Sequence, residues 1–127
     1  MAVALQVPIT DVDRVAGAVV EVYVKRREIV TEIPLIGIVD VPAGVGALRV
    51  VVSASKHVVE IVLDADVDAA SLAPAVWALE AKGWHAVVLV ALERIGDAHR
   101  ELRGTPCRLQ PWWPSGDTMA FGTFEAP

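Results

Sequence analysis

Asp64, Asp66 and Asp68 stand at every second position just after the apolar run 58–63. In a strand, residues two apart share a face, so three carboxylates would crowd together there. They would repel unless they fanned into solvent or shared a cation. Ligands of open α/β sheets gather beyond the carboxyl ends of strands. Position and residue type therefore fit a Mg²⁺ or Mn²⁺ ion held by hard oxygen ligands, with the ion neutralising a phosphate substrate. On this reading the chain is a Mg/Mn-dependent phosphoryl-transfer or nucleotide-binding domain. The competing reading is a solvated turn, whose acids lie near the start of the next helix where the helix dipole favours them. A calcium EF-hand loop is excluded. Counted from Asp64, its sixth and twelfth positions hold Ala69 and Ala75 instead of Gly and Glu.

The stretch 58–92, with Asp64 and Asp66 ending a strand before a helix and a further strand, resembles the acidic strand end of Toprim domains. That resemblance implies a Glu-Gly pair at an earlier strand end. Here Glu21, Glu28, Glu32 and Glu60 are each followed by a residue other than Gly. The same strand is similar to the opening strand of haloacid-dehalogenase phosphatases, but the chain is short for that family and lacks a second acidic pair. Other catalytic signatures fail on inspection. Gly44-Val45-Gly46 would need Gly at 49 for a dinucleotide fingerprint, and Arg49 stands there; Gly-Lys-Ser/Thr occurs nowhere. His57, His85 and His99 show no metal spacing with one another or with Cys107. Cys107 is read as a small buried hydrophobe. No Gly-x-Ser-x-Gly elbow is present. The chain is therefore expected to be non-catalytic, and its residues call for no cofactor.

Pro111-Trp112-Trp113-Pro114 is the other unusual group. On a strand the two indoles point to opposite faces, so one-sided burial cannot hold both. Tryptophan concentrates at interface hot spots, where it buries much area and keeps a polar N–H. With Phe121 and Phe124 close by, Trp112 and Trp113 make the C-terminal hairpin the expected contact surface. Trp77 and Trp84, which flank a helix end, are expected in the core.

These groups need elements to hold them. Residues 1–9 read as an extended lead-in. Thr10, Asp11 and Asp13 supply helix N-terminal chemistry. Val12, Val15, Ala16 and Val19 follow at helical spacing, whereas Val20, Val22 and Val24 alternate as in a strand. The preferred reading is a short helix running into a strand over 18–25, with one long helix to Arg27 as the alternative. Residues 28–41 read as a strand region broken at Pro34, and 42–46 as a loop. Residues 48–54 and 58–63 form a hairpin, with Val50, Val52, Val59, Ile61 and Leu63 on one buried face. Ser71 caps a helix over 72–82 that places Pro74 in its first turn and stops at Gly83. Residues 85–92 are apolar on both faces, as a covered central strand would be. A short helix through Ile95, Ala98 and Leu102 ends at Gly104, and 107–113 with 118–124 form the terminal hairpin. The fold class is α+β, with α/β as the alternative. It comprises one domain over 1–127, a mixed sheet of about six or seven strands, one main helix and one or two short ones.

Composition bounds the rest. The 127 residues suffice for one domain with its own core. Apolar residues make up 54%, with only 6% aromatic, so valine and alanine carry the excess; valine suits a pleated surface. A surplus of this kind fits a sheet covered on both faces or a surface buried by another subunit. A net charge of −5 argues against nucleic-acid binding. The basic cluster Lys25-Arg26-Arg27 reads as a solvated turn. No apolar run approaches the roughly 20 residues of a membrane span. Residues 1–7 lack a basic n-region, and one cysteine allows no internal disulfide. A cytoplasmic protein is expected, with no membrane partner. The absence of Asn and the three Lys against eight Arg suggest a GC-rich bacterial or phage gene. The leading expectation is a non-catalytic assembly domain that self-associates or docks on a protein.

Overall fold

The computed structural model describes residues 10–127; the lead-in expected over 1–9 lies outside them. Thr10 opens α1 (Asp11–Lys25) through a capping box. Its hydroxyl accepts from the Asp13 amide while the Asp13 carboxylate takes the Thr10 N–H. Val15, Ala16, Val19 and Tyr23 form the buried stripe of this helix. The strand expected over 18–25 is thus replaced by helix, the alternative reading. Valine's strand preference is weak against a strong cap and a stripe with a sheet to cover. Val22 and Val24, which suggested alternation, lie on the exposed flank. Arg27, at φ 59°, ends the segment.

Six strands follow: β1 (Thr31–Pro34), β2 (Arg49–Ser53), β3 (Val58–Val62), β4 (His85–Ala91), β5 (Arg108–Ser115) and β6 (Thr118–Phe121). They lie side by side in chain order. The pairs β1–β2, β2–β3 and β5–β6 are antiparallel, and β3–β4 and β4–β5 are parallel. The result is an α+β domain around one mixed sheet. The long strand region expected over 28–41 is shorter than read. Pro34 ends β1, and the chain turns into a 3-10 helix at Leu35–Gly37. Gly44-Val45-Gly46, expected as loop, lies in a single helical turn, α2 (Ala43–Gly46), that buries Val45.

The two parallel steps need crossovers, and helices supply them. α3 (Ala73–Ala81) joins β3 to β4, and α4 (Ile95–Glu101) joins β4 to β5. Pro74 sits in the first turn of α3, where its missing N–H costs little. Ser71 is not the cap that was expected. Its hydroxyl donates to the Asp68 carbonyl within a 3-10 lead-in, Ala69–Leu72. Leu72, Ala75, Val76 and Leu79 pack with Ala98 and Leu102 on the face formed by Val50, Val59, Ile61, Val88 and Leu109. The other face, with Val51, Val62, Val87, Leu89 and Trp112, is covered by α1. Three layers result, and β4 is buried on both sides as its sequence implies. Trp84 packs half-buried at the edge of the first core, but Trp77 points outward at 54% exposure, contrary to its expected burial. Trp77 falls between the buried Val76 and Leu79 on the outer side of α3.

Candidate functional site

β3 carries one acid among its valines. Glu60 alternates with Val59 and Ile61, so it points to the α1 face, and its register neighbours are Val51 on β2 and Val87 on β4. The residue is only 7% exposed. Its Oε2 has no hydrogen-bond partner. Burial pushes the carboxyl up from its ordinary value, and Tyr23, Arg26 and Lys56 partly offset that. Tyr23 reaches over it from the last turns of α1. Its phenol is raised chiefly by burial and next by the charge of Glu60. Lys56, in the β2–β3 turn, holds Glu28 at 2.9 Å and lies 5.9 Å from the centre of the Tyr23 ring.

A recess of about 250 Å³ opens beside this carboxylate. Val19, Val22 and Tyr23 of α1 form one wall, and Phe121 and Phe124 of the C-terminal segment form another. Gln110 lies on the floor, its amide nitrogen donating to the Gly122 carbonyl at 3.0 Å. Arg26 stands exposed at the rim. Because α1 touches β2, β3 and β6, the sheet curls around it and brings these distant segments together. Gly122 allows the C-terminal turn to lie close: a Cβ there would sit 2.7 Å from Pro111 Cγ.

The four expected interface residues part company. Trp112 is buried beneath α1, with its Nε1 unpartnered. Trp113 points to the opposite side and is half-buried, as the strand alternation required. Phe121 is half-buried in the recess wall, and Phe124 stands at its mouth, 57% exposed. On the α1 side of the hairpin Phe121, Phe124 and Val22 thus remain accessible, with Trp113 on its other side.

The acidic strand end lies elsewhere, past β3 and away from Glu60. Asp64 is half-buried, while Asp66 and Asp68 are exposed. The Asp64 carboxylate accepts the Asp66 amide at 3.3 Å, and Arg94 donates to the carbonyls of Asp64 and Val67 at 2.9 and 2.7 Å. This segment is shaped by its own backbone contacts. Among the described residues, no group of three or more His, Cys, Asp or Glu is placed to hold a metal ion. Asp64 and Asp66 border an open hollow with Asp13 and Arg49. There Arg49 bridges Asp13 and Glu32. The Asp13 carboxyl is held below its ordinary value, first by the Thr10 amide, then by the Thr10 hydroxyl and Arg49.

His57 and His85 meet through the backbone, the His85 N–H donating to the His57 carbonyl at 2.7 Å, while the His57 ring stacks obliquely on Trp84 and His99 meets Glu125 at 2.7 Å. Cys107 is buried, its thiol raised by burial and contacting the Thr105 hydroxyl. Sequence reasoning passed over Tyr23 and Glu60 as site residues. The available signal was a lone acid inside Val58-Val59-Glu60-Ile61-Val62, a strand otherwise apolar on both faces. No helix among the described residues is long and apolar enough to cross a membrane. No protein-family model matches the chain, and no curated protein or solved structure shows significant similarity to it.

Proposed function

We propose that the chain is a non-catalytic assembly domain that pairs with a second copy of itself along β6 and the adjoining apolar surface. The observation that carries this reading is a contrast between the two sheet edges. β1 bears Glu32 and ends in Pro34, devices that discourage strand addition. β6 reads Thr118-Met119-Ala120-Phe121, with neither charge nor proline, and is the other edge strand among the described residues. An uncharged, proline-free edge is a template for another strand.

Neighbouring residues fit a shared interface. Val22 and Phe124 stay exposed on either side of the half-buried Phe121. A hollow of about 500 Å³ runs between α1 and β6, from Arg14 and Gly17 to Asp117 and Met119. A two-fold pairing of β6 with its symmetry mate would extend the sheet and cover this hollow between α1 and β6.

The test is sedimentation over micromolar to submillimolar concentration. The wild type is expected at twice the 13.5 kDa chain mass. Thr118→Lys places a charge on the paired edge, the device by which edge strands avoid strand addition, and shifts the protein to monomer. Phe124→Ser weakens the dimer. Both residues are exposed, so circular dichroism should remain unchanged. A wild type that stays monomeric, or a dimer indifferent to both changes, refutes the assembly reading.

A further inference from the structure

We infer that the recess between α1 and the C-terminal segment is a binding site for an organic cation, an alkylammonium group seated on Glu60. Three independent features converge there. The first is the carboxylate itself. Buried acids in folded proteins are normally paired, because an unpaired one forfeits its hydration. Glu60 Oε2 is buried without a partner, and the residue lines an opening that a ligand can enter. A donor arriving from outside would satisfy it.

The second feature is the wall. Tyr23, Phe121 and Phe124 surround the opening, and aromatic faces attract cations through their quadrupoles. Val19 and Val22 complete an apolar collar suited to a methylene stem. The third is size. At about 250 Å³ the recess falls below the ~300–1,000 Å³ of pockets that enclose whole drug-sized molecules. It fits a short amine or a single side chain.

The charges around the site bear on the sign of the ligand. Lys56 is already engaged with Glu28 across the Tyr23 ring. Arg26 lines the rim and is exposed, so among the described residues it is the cation of the recess lining that competes with an incoming ammonium. An anionic ligand would instead use Arg26 and be repelled by Glu60. Removing Arg26 therefore separates the two chemistries: it strengthens binding of a cation and weakens binding of an anion.

The experiment titrates isotope-labelled protein with n-butylammonium chloride and follows amide and aromatic resonances. Sodium chloride at matched ionic strength and n-butanol serve as controls. Millimolar n-butylammonium is expected to shift Tyr23, Gln110 and Phe121, whereas n-butanol leaves them in place. Glu60→Gln keeps the side-chain shape and is expected to weaken binding at least about tenfold, the effect of losing a charge-assisted hydrogen bond. Arg26→Ala, at an exposed position, is expected to tighten it. Acetyl-Gly-Lys-Gly-amide distinguishes the sources. Binding as tight as that of the free amine assigns the site to a lysine of a protein partner, and binding of the free amine alone assigns it to a small metabolite. The titration is repeated on Thr118→Lys, so the result does not depend on dimerisation. Shifts outside the recess, equal shifts with n-butanol, or an undiminished response in folded Glu60→Gln each overturn the proposal.

Discussion

Replacing Glu60 by methionine should make the protein more stable at neutral pH. The change removes a buried carboxylate whose Oε2 has no partner and puts in its place an apolar chain of similar length. An unsatisfied buried polar group costs about 1–3 kcal/mol on mutational scales. Some compensation is lost in the exchange. The Tyr23 hydroxyl gives up its interaction with the carboxylate, worth about 0.5–1.5 kcal/mol. Arg26 and Lys56 lose an attraction that solvent already screens, since both are exposed. Taking the middle of each range, about 2 less about 1, the net gain is about 1 kcal/mol, or a few degrees in the unfolding midpoint of a domain this size.

The pH dependence of that gain is the sharper test. Burial raises the Glu60 carboxyl above the ordinary value of 4.5, so over the window between the two values the folded state holds a proton that the unfolded state has released. Stability then falls as pH rises from 4.5 through the raised value. Below 4.5 both states are protonated and the charge penalty vanishes. The advantage of the methionine variant should thus be small near pH 4 and reach its plateau once the folded carboxyl ionises. Urea unfolding followed by tryptophan fluorescence measures it, and the other acids cancel in the difference between the two proteins. A variant less stable than wild type at neutral pH would refute the reasoning, because it would mean that the carboxylate is held by a net favourable network. A gain that does not change with pH would place its origin in packing instead of charge.

Two further consequences follow from packing. Gly122→Ala drives a Cβ to 2.7 Å from Pro111 Cγ and 3.3 Å from its Cδ. It should cost about 1–3 kcal/mol in chemical denaturation, as overpacked sites do, while Gly96→Ala, where nothing lies within 4 Å, should be harmless. Arg94→Ala removes both donors that hold the Asp64 and Val67 carbonyls. A cost of about 1–3 kcal/mol is expected, with hydrogen exchange accelerated over 64–68 and unchanged in β4.

The hairpin of β2 and β3, the crossover α3, the covered strand β4 and the terminal hairpin could all be read from the sequence. In each case period, turn residues and burial point the same way. The reading over 18–25 failed because two periods coexist there. Val20, Val22 and Val24 alternate, but Val15, Ala16, Val19 and Tyr23 already define a helical face, and only the sheet beneath decides which of the two is buried. Trp77 failed for a related reason. A large apolar side chain on a nine-residue helix is buried only if its direction faces the sheet, and Val76 and Leu79 already occupy that direction. Of the four residues expected at a contact surface, Phe121 and Phe124 line the recess, and their proximity could be read from the hairpin. The recess they line could not, because it joins residues from 19 to 124 through the curl of the sheet. Asp64, Asp66 and Asp68 drew notice as a cluster in sequence, whereas a single acid at position 60 had no cluster to announce it.

Two costly features, the buried Glu60 carboxylate and the uncharged β6 edge, fall on the side where α1 meets β6. A chain selected for stability alone would replace Glu60 with an apolar residue, as its neighbours on β3 already are. Selection for solubility alone would also place a charge on β6, as Glu32 does on β1. Each exception costs the free protein something that an occupant could return: a donor for the carboxylate, and a strand for the edge. Phe121 belongs to both, because it ends β6 and also walls the recess. The opposite face shows no such pairing of exceptions. Its buried groups are apolar, and Trp77 is a single exposed ring on the outer side of α3, which is ordinary for a protein surface. The α1–β6 side is therefore the better place to look for binding than the acidic loop, where the Asp64 carboxylate accepts from the Asp66 amide, Arg94 holds the Asp64 and Val67 carbonyls, and Asp66 and Asp68 stand exposed to solvent.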